Sequence, residues 1–121
     1  MEKHYAPKAS LYLVIGENGA LRSFLREKAE EAVALGIKRG FIIAEEDRES
    51  LRELEVVVQV LGSLKDPATV ARRLFSSLRI MDAIGVEEIY ARDFGQEGLA
   101  LAVHNRLLRA SGGKVVILGG K

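Results

Sequence analysis

The hydrophobic pattern divides the chain into short apolar runs and longer amphipathic stretches. Leu11 to Ile15 is a continuous apolar run that ends at Gly16-Glu17-Asn18-Gly19, a turn of residues that tolerate positive φ, and it reads as a buried strand. From Ala20 to Leu35 the apolar positions Leu21, Phe24, Leu25, Ala29, Ala32, Val33 and Leu35 recur at three- and four-residue spacing, which predicts an amphipathic helix stopped by Gly36. Gly40 to Ala44 predicts a second strand. It runs into an acidic cluster, Glu45-Glu46-Asp47, that opens a short segment whose Leu51 and Leu54 can face a core. Negative charge there suits a helix N-terminus.

Val56 to Leu61 is the most β-branched stretch and predicts a third strand, because such side chains pack well on a pleated surface. Asp66-Pro67 is a helix start: the carboxylate caps free N–H groups, and proline at the first helical position forfeits no hydrogen bond. That helix carries Val70, Leu74, Leu78 and Met81 on one stripe, with Ala71, Phe75 and Ile84 beside it, and ends at Gly85. Val86 to Tyr90, Leu99 to Ala110 and Val115 to Leu118 complete the pattern as strand, helix and strand. Apolar strands alternating with amphipathic helices call for a sheet covered on both faces. The predicted fold is an α/β, three-layer α/β/α sandwich around a five-stranded, mainly parallel sheet, Rossmann-like, over residues 11–121. Either common doubly wound strand order is compatible with it. Residues 1–10 lack apolar periodicity, and Pro7 holds Ala6 extended, so they read as a linker.

Composition narrows the chemistry. The 121 residues carry 18 Lys and Arg against 17 Asp and Glu, a formal charge of +1, with 48% hydrophobic positions. One domain with a single core is the expectation. There is no cysteine, which excludes disulfides, thiolate metal sites and cysteine nucleophiles. No apolar run approaches a membrane span and the first residues lack a signal-peptide core, so a soluble, cytoplasmic protein without a membrane partner is expected. Balanced charge argues against nucleic-acid binding by phosphate neutralisation alone.

Ligands of open parallel sheets sit at the carboxyl ends of the strands. Three predicted loops there contain glycine, giving the candidate crevice residues Gly16 and Gly19, then Gly62, Ser63 and Lys65, then Gly95 and Gly98. Backbone N–H groups at such turns can cradle a phosphate or carboxylate. The competing reading is that βα turns need glycine anyway, since neither G-x-G-x-x-G nor G-x-x-x-x-G-K-[ST] occurs, and Glu17 puts a negative charge into the first loop. A phospho-receiver site fails because no Asp ends the third strand and Lys114 precedes the fifth. No serine lies in a G-x-S-x-G turn, so no catalytic residue is assigned. His104 on a helix reads as a surface or boundary residue, and two imidazoles without cysteine do not support a metal site. Arg72, Arg73 and Arg79 read as a solvated helix face.

The segment Lys3-His4-Tyr5-Ala6-Pro7-Lys8, followed at once by Leu11-Tyr12-Leu13-Val14, resembles the junction between linker and C-terminal accessory domain in threonylcarbamoyl-AMP synthases. The family's longer linker motif is S-P-G-M-K-x-R-H-Y-A-P. Here His4-Tyr5-Ala6-Pro7 match, Lys3 stands in for the Arg, and the S-P-G portion is missing. Ala71-Arg72-Arg73-Leu74-Phe75, Leu78-Arg79, Asp82 and Gly85-Val86 are similar to the family's A-R-x-L-F, L-R, D and G-V. Gly98-Leu99-Ala100-Leu101-Ala102 and Asn105-Arg106-Leu107 resemble its G-L-G-x-A and N-R-L, with Ala100 departing from Gly.

The resemblance implies a role in tRNA modification: the full-length enzymes use ATP, L-threonine and bicarbonate to make threonylcarbamoyl-AMP, the precursor of threonylcarbamoyladenosine. Their catalytic residues sit in an N-terminal YrdC-like domain, which this chain is too short to hold. By that reading the chain is an accessory domain without catalysis or a cofactor of its own. ATP and Mg belong to the catalytic domain, its partner in cis, and tRNA or tRNA-modification proteins are further candidate partners. Lys3, His4 and Tyr5 are the linker residues implied to close the active site. Two other readings stay open: a self-contained module binding a nucleotide or small anion, and an interaction scaffold.

Overall fold

The computed structural model describes residues 6–119. Nine elements alternate along the chain: β1 (Ser10–Ile15), α1 (Asn18–Leu35), β2 (Arg39–Ala44), a 3-10 helix (Glu45–Leu51), β3 (Val57–Gly62), α2 (Pro67–Ile84), β4 (Glu88–Arg92), α3 (Leu99–Ser111) and β5 (Val115–Ile117). All strands are parallel, in the order β3-β2-β4-β1-β5. The three-layer α/β/α architecture with its five-stranded parallel sheet is therefore as the pattern predicts. The strand order is neither common doubly wound arrangement, because β4 lies between β2 and β1.

Side chains alternate across the sheet and assign each helix its face. Leu11, Leu13, Ile42, Ala44, Ile89 and Ala91 point to one side, where α2 and α3 lay down Val70, Leu74, Leu78, Met81, Val103 and Leu107. Val14, Phe41, Ile43 and Tyr90 point to the other, beneath Leu21, Leu25 and Ala29 of α1. Chain direction reverses with the face. From β1 the chain moves toward the β3 edge by way of α1 and the 3-10 helix, and from β3 it returns by way of α2 and α3, as uniform right-handed crossovers require.

Local signals are obeyed at most boundaries. Asp66 caps α2, accepting hydrogen bonds from the Thr69 backbone N–H at 3.3 Å and its hydroxyl at 2.7 Å. Gly36, Gly85 and Gly112 close the three helices in the left-handed conformation. Three places differ from the prediction, the first being α1, which begins at Asn18, two residues ahead of Ala20. The acidic segment forms only a 3-10 helix, and β4 runs two residues later than the apolar run Val86–Tyr90, because the Glu87 N–H donates to the Lys38 carbonyl and pairing begins at Glu88, opposite Ser10 and Arg39. At the other end Ala6 is exposed, the Lys8 N–H donates to Asp82 Oδ1 of α2 at 3.0 Å, Ala9 is in the core and Ser10 opens β1.

Candidate functional site at the carboxyl edge of the sheet

β1 and β4 are neighbours whose following helices pack on opposite faces, so their carboxyl ends diverge and leave a crevice between them. An open depression of about 510 Å³ lies there, lined chiefly by Ile15, Gly16, Leu64, Asp93, Phe94 and Gly95. Two glycines are demanded by geometry. At Gly16 a Cβ would come within 2.9 Å of Leu118 Cβ; Gly95 has φ +122° and a Cβ there would lie 3.2 Å from Ala100 Cβ.

The candidate crevice residues divide. Gly16 and Gly95 line the depression, Gly98 is the residue before α3, and Gly62 ends β3 with φ +147°. Gly19 lies in the first turn of α1 with open space around it, and Lys65 is exposed beside the loop after β3. Three hydrogen-bond donors of that loop are already engaged by the chain itself. The Ser63 hydroxyl donates to Glu46 Oε2 at 2.6 Å and the Leu64 N–H to Glu46 Oε1 at 2.9 Å, while the Lys65 N–H donates to Ser63 Oγ. The hydrogen bond from Ser63, then that from Leu64, holds the Glu46 carboxyl below the usual carboxylate range. As pH is lowered, the Leu64 amide resonance should therefore titrate with a midpoint below that of an ordinary Glu, and Glu46→Gln should abolish the transition. A midpoint at or above about 4.3, the ordinary Glu value, would show that the carboxylate is not held in the cradle.

Beside the depression is a network that the sequence reading does not identify. Arg92 is 2% exposed and Asp47 is fully buried. Arg92 Nε donates to Asp47 Oδ2 at 2.7 Å and Nη2 to Asp47 Oδ1 at 3.1 Å, a bidentate pair. The remaining Arg92 donors reach the Asp93 carbonyl and Asn18 Oδ1, and Asp47 also accepts from Arg22 Nε and from the Ala44 N–H. Burial alone would push the Asp47 carboxyl up; its hydrogen bonds with Arg92 and that residue's charge outweigh burial and hold it low. In the sequence Asp47 is one of three acidic residues at a predicted helix start, and nothing in that pattern distinguishes it from Glu45 and Glu46.

His104 is more involved than a boundary residue. Its Nδ1 lies 2.7 Å from Asp93 Oδ1, and both side chains are largely buried. The pair has no serine or threonine among its hydrogen-bond partners, and no group of three metal-ligating side chains occurs among the described residues. Among the described residues the depression is lined by Asp93 and Glu97 and by no Lys or Arg. An acidic, glycine-edged hollow whose neighbouring cradle is filled by Glu46 is poorly matched to a nucleotide's phosphates. Lys3, His4 and Tyr5, the implied active-site-closing residues, lie outside the described residues.

Comparison with known proteins covers nearly the whole chain. Residues 1–112 match the family model described as threonylcarbamoyl-AMP synthase, C-terminal domain. The threonylcarbamoyl-AMP synthase of Pyrococcus abyssi is 37% identical over 114 residues, 94% of this chain and 31% of that protein. The Bacillus subtilis synthase is 30% identical over 93% of this chain and 31% of its own length. The chain thus spans about a third of the curated relatives it matches. A crystal structure of P. abyssi Sua5 complexed with L-threonine superposes with a TM-score of 0.81 at 33% identity, over 98% of this chain and 32% of that one. A P. abyssi Sua5 variant with an adjacent His and Tyr replaced by Ala gives 0.79 at 31% identity, over 95% and 31%. A separately crystallised C-terminal Sua5 domain from Pyrococcus horikoshii gives 0.69 at 32% identity, over 93% of this chain and 100% of that chain.

Proposed function

Because the chain belongs to the threonylcarbamoyl-AMP synthase C-terminal domain family, we propose that it is the accessory domain of an L-threonylcarbamoyladenylate synthase and gates the catalytic cleft through its linker. The reading rests on one observation above others: the likeness runs over 94% of this chain and only 31% of the relative, so two thirds of such an enzyme lie outside it. A YrdC-like catalytic domain in cis carries the chemistry, taking ATP, L-threonine and bicarbonate to threonylcarbamoyl-AMP, with ATP and Mg held there. Among the described residues the hollow at the carboxyl edge is lined by two carboxylates and by no Lys or Arg, which suits a phosphate poorly. A fixed anchor for the linker is provided where Lys8 is pinned to Asp82 at the amino edge of the sheet, on the far side from that hollow. Lys3, His4 and Tyr5 lie ahead of the anchor, and a cation, an imidazole and an aromatic ring suit closure over a nucleotide and an amino acid. His4-Tyr5 is an adjacent His-Tyr pair of the kind replaced in the P. abyssi variant.

The test uses the isolated chain and a graft in which it replaces the C-terminal domain of the P. abyssi synthase. With ATP, L-threonine and bicarbonate the isolated chain should yield no adenylate by chromatography, and the graft should be active. His4→Ala/Tyr5→Ala in the graft should lower kcat/KM by about tenfold or more, as misplacement of a closing segment does. Turnover by the isolated chain, or a graft indifferent to the double substitution, would contradict the proposal.

A further inference from the structure

The net charge of +1 conceals a segregation that only the tertiary structure reveals. Helices α2 and α3, on one face of the sheet, carry five Arg, no Lys and a single acidic residue, Asp82. Helix α1 and the 3-10 helix, on the other, carry seven carboxylates to four cations. Pairing differs in the same way. On the acidic face Arg22, Arg26, Arg48 and Arg52 each meet a carboxylate. Among the described residues the exposed guanidinium groups of Arg79 and Arg106 on the basic face have no hydrogen bond or ion pair, and Arg72 donates a single side-chain hydrogen bond, to the Thr69 hydroxyl. Exposed aliphatic side chains accompany them, with Ile80 at 42%, Leu101 at 42% and Leu108 at 38%. Arginine among apolar side chains, without lysine, is the composition of a protein interface rather than of a solvated face.

We infer that the outer face of α2 and α3 docks an acidic-rimmed apolar surface of the catalytic domain that precedes this chain in the same polypeptide. The inference rests on the reading above that such a domain is present in cis. The tether enters on this face: Ala9 packs in the core beneath α2 and α3, and the Lys8 N–H is fixed to Asp82, one helical turn from Arg79. A domain carried in the same polypeptide meets this surface at an effective concentration set by the connecting segment, so modest contact suffices. The footprint is adequate. Two adjacent helices of 18 and 13 residues present roughly 500 Å², within the range of one side of an interdomain contact.

Reaction of arginine with phenylglyoxal, read residue by residue by mass spectrometry, tests the docking in the graft against the isolated chain. Modification of Arg79 and Arg106 should slow by about tenfold in the graft, as for side chains taken out of solvent. The exposed Arg48 and Arg52 of the opposite face should react equally in both and serve as the internal control. Arg79→Glu/Arg106→Glu, and independently Leu101→Ser/Leu108→Ser, should restore solvent reactivity to Arg72 and Arg73 in the graft. Equal rates at Arg79 and Arg106 in an active graft overturn the docking and leave the functional reading intact. Slowed rates in an inactive graft leave the docking and remove the functional reading. Protection of both arginines in the isolated chain by an unmodified tRNA transcript, without protection in the graft, would assign the face to RNA and overturn the proposal.

Discussion

Replacing Asp47 by Ala should destabilise the domain by about 3–5 kcal/mol, the cost of leaving a buried cation without its partner. Arg92 has no route to water at 2% exposure, and the substitution removes both of its carboxylate hydrogen bonds together with an acceptor for the Ala44 N–H. Small domains are stable by roughly 5–15 kcal/mol in all, so the loss is a large fraction of the whole. Equilibrium urea unfolding measures it directly. Asp47→Ala combined with Arg92→Met should lose less than the sum of the single losses, because the second substitution removes the orphaned charge. A loss under about 1 kcal/mol, near the value of an exposed pair, would mean that the network is not a lock. The pH dependence follows from the same contact. The Asp47 carboxyl is held low in the folded state, so its contribution is fully present above the unfolded carboxylate range near 4 and disappears as pH falls through the lowered folded value. Asp47→Ala should therefore flatten the acid limb of the stability curve.

Phe41→Ala should cost a comparable 3–5 kcal/mol through lost burial and the cavity left behind. Phe41 has no exposed surface and sits on the interior strand β2, under α1, with its ring stacked 6.0 Å from that of Tyr90. Tyr90 in turn stacks on Tyr12 and meets the edge of Phe24, so the cavity would open beside the ring at the centre of an aromatic cluster. Ile117→Ala is the matched control. It shortens another strand side chain that is 75% exposed on β5, and should change stability by no more than about 0.5 kcal/mol. Thermal unfolding of the two variants distinguishes them, and similar melting temperatures would contradict the burial assignment.

Much of the fold is legible before any coordinates. Leu21, Leu25, Ala29 and Ala32 are the buried residues of α1, all within the apolar stripe that the spacing picks out, and Val70, Leu74, Leu78 and Met81 are buried along α2. The same rule overreaches at the margins. Val33 and Leu35 share the periodicity yet are 51% and 66% exposed while Ala32 in the same turn is buried, because at 100° per residue they fall to either side of the stripe Leu21, Leu25, Ala29 and Ala32 that faces the sheet. Composition likewise misses the charge segregation, since a net charge has no address. The candidate site is less legible than the fold. The glycine loops can be placed at the carboxyl edge from their position after apolar runs, but not that Glu46 fills one of them from the 3-10 helix, 17 residues away.

What this sequence settles alone is local: which segments extend, which coil, where they start and stop, and which stripe of each turns inward. Those properties depend on residues within a few positions of one another. Strand order, the face each helix covers, and the pairs Asp47 with Arg92, Asp93 with His104 and Lys8 with Asp82 are decided by the path of the chain between elements. Apolar strands such as β1, β2 and β4 carry nothing in their own residues to say which of them will be neighbours. Their order emerges only when right-handed crossovers, turning first over one face and then over the other, must bury three helices and a 3-10 turn at once.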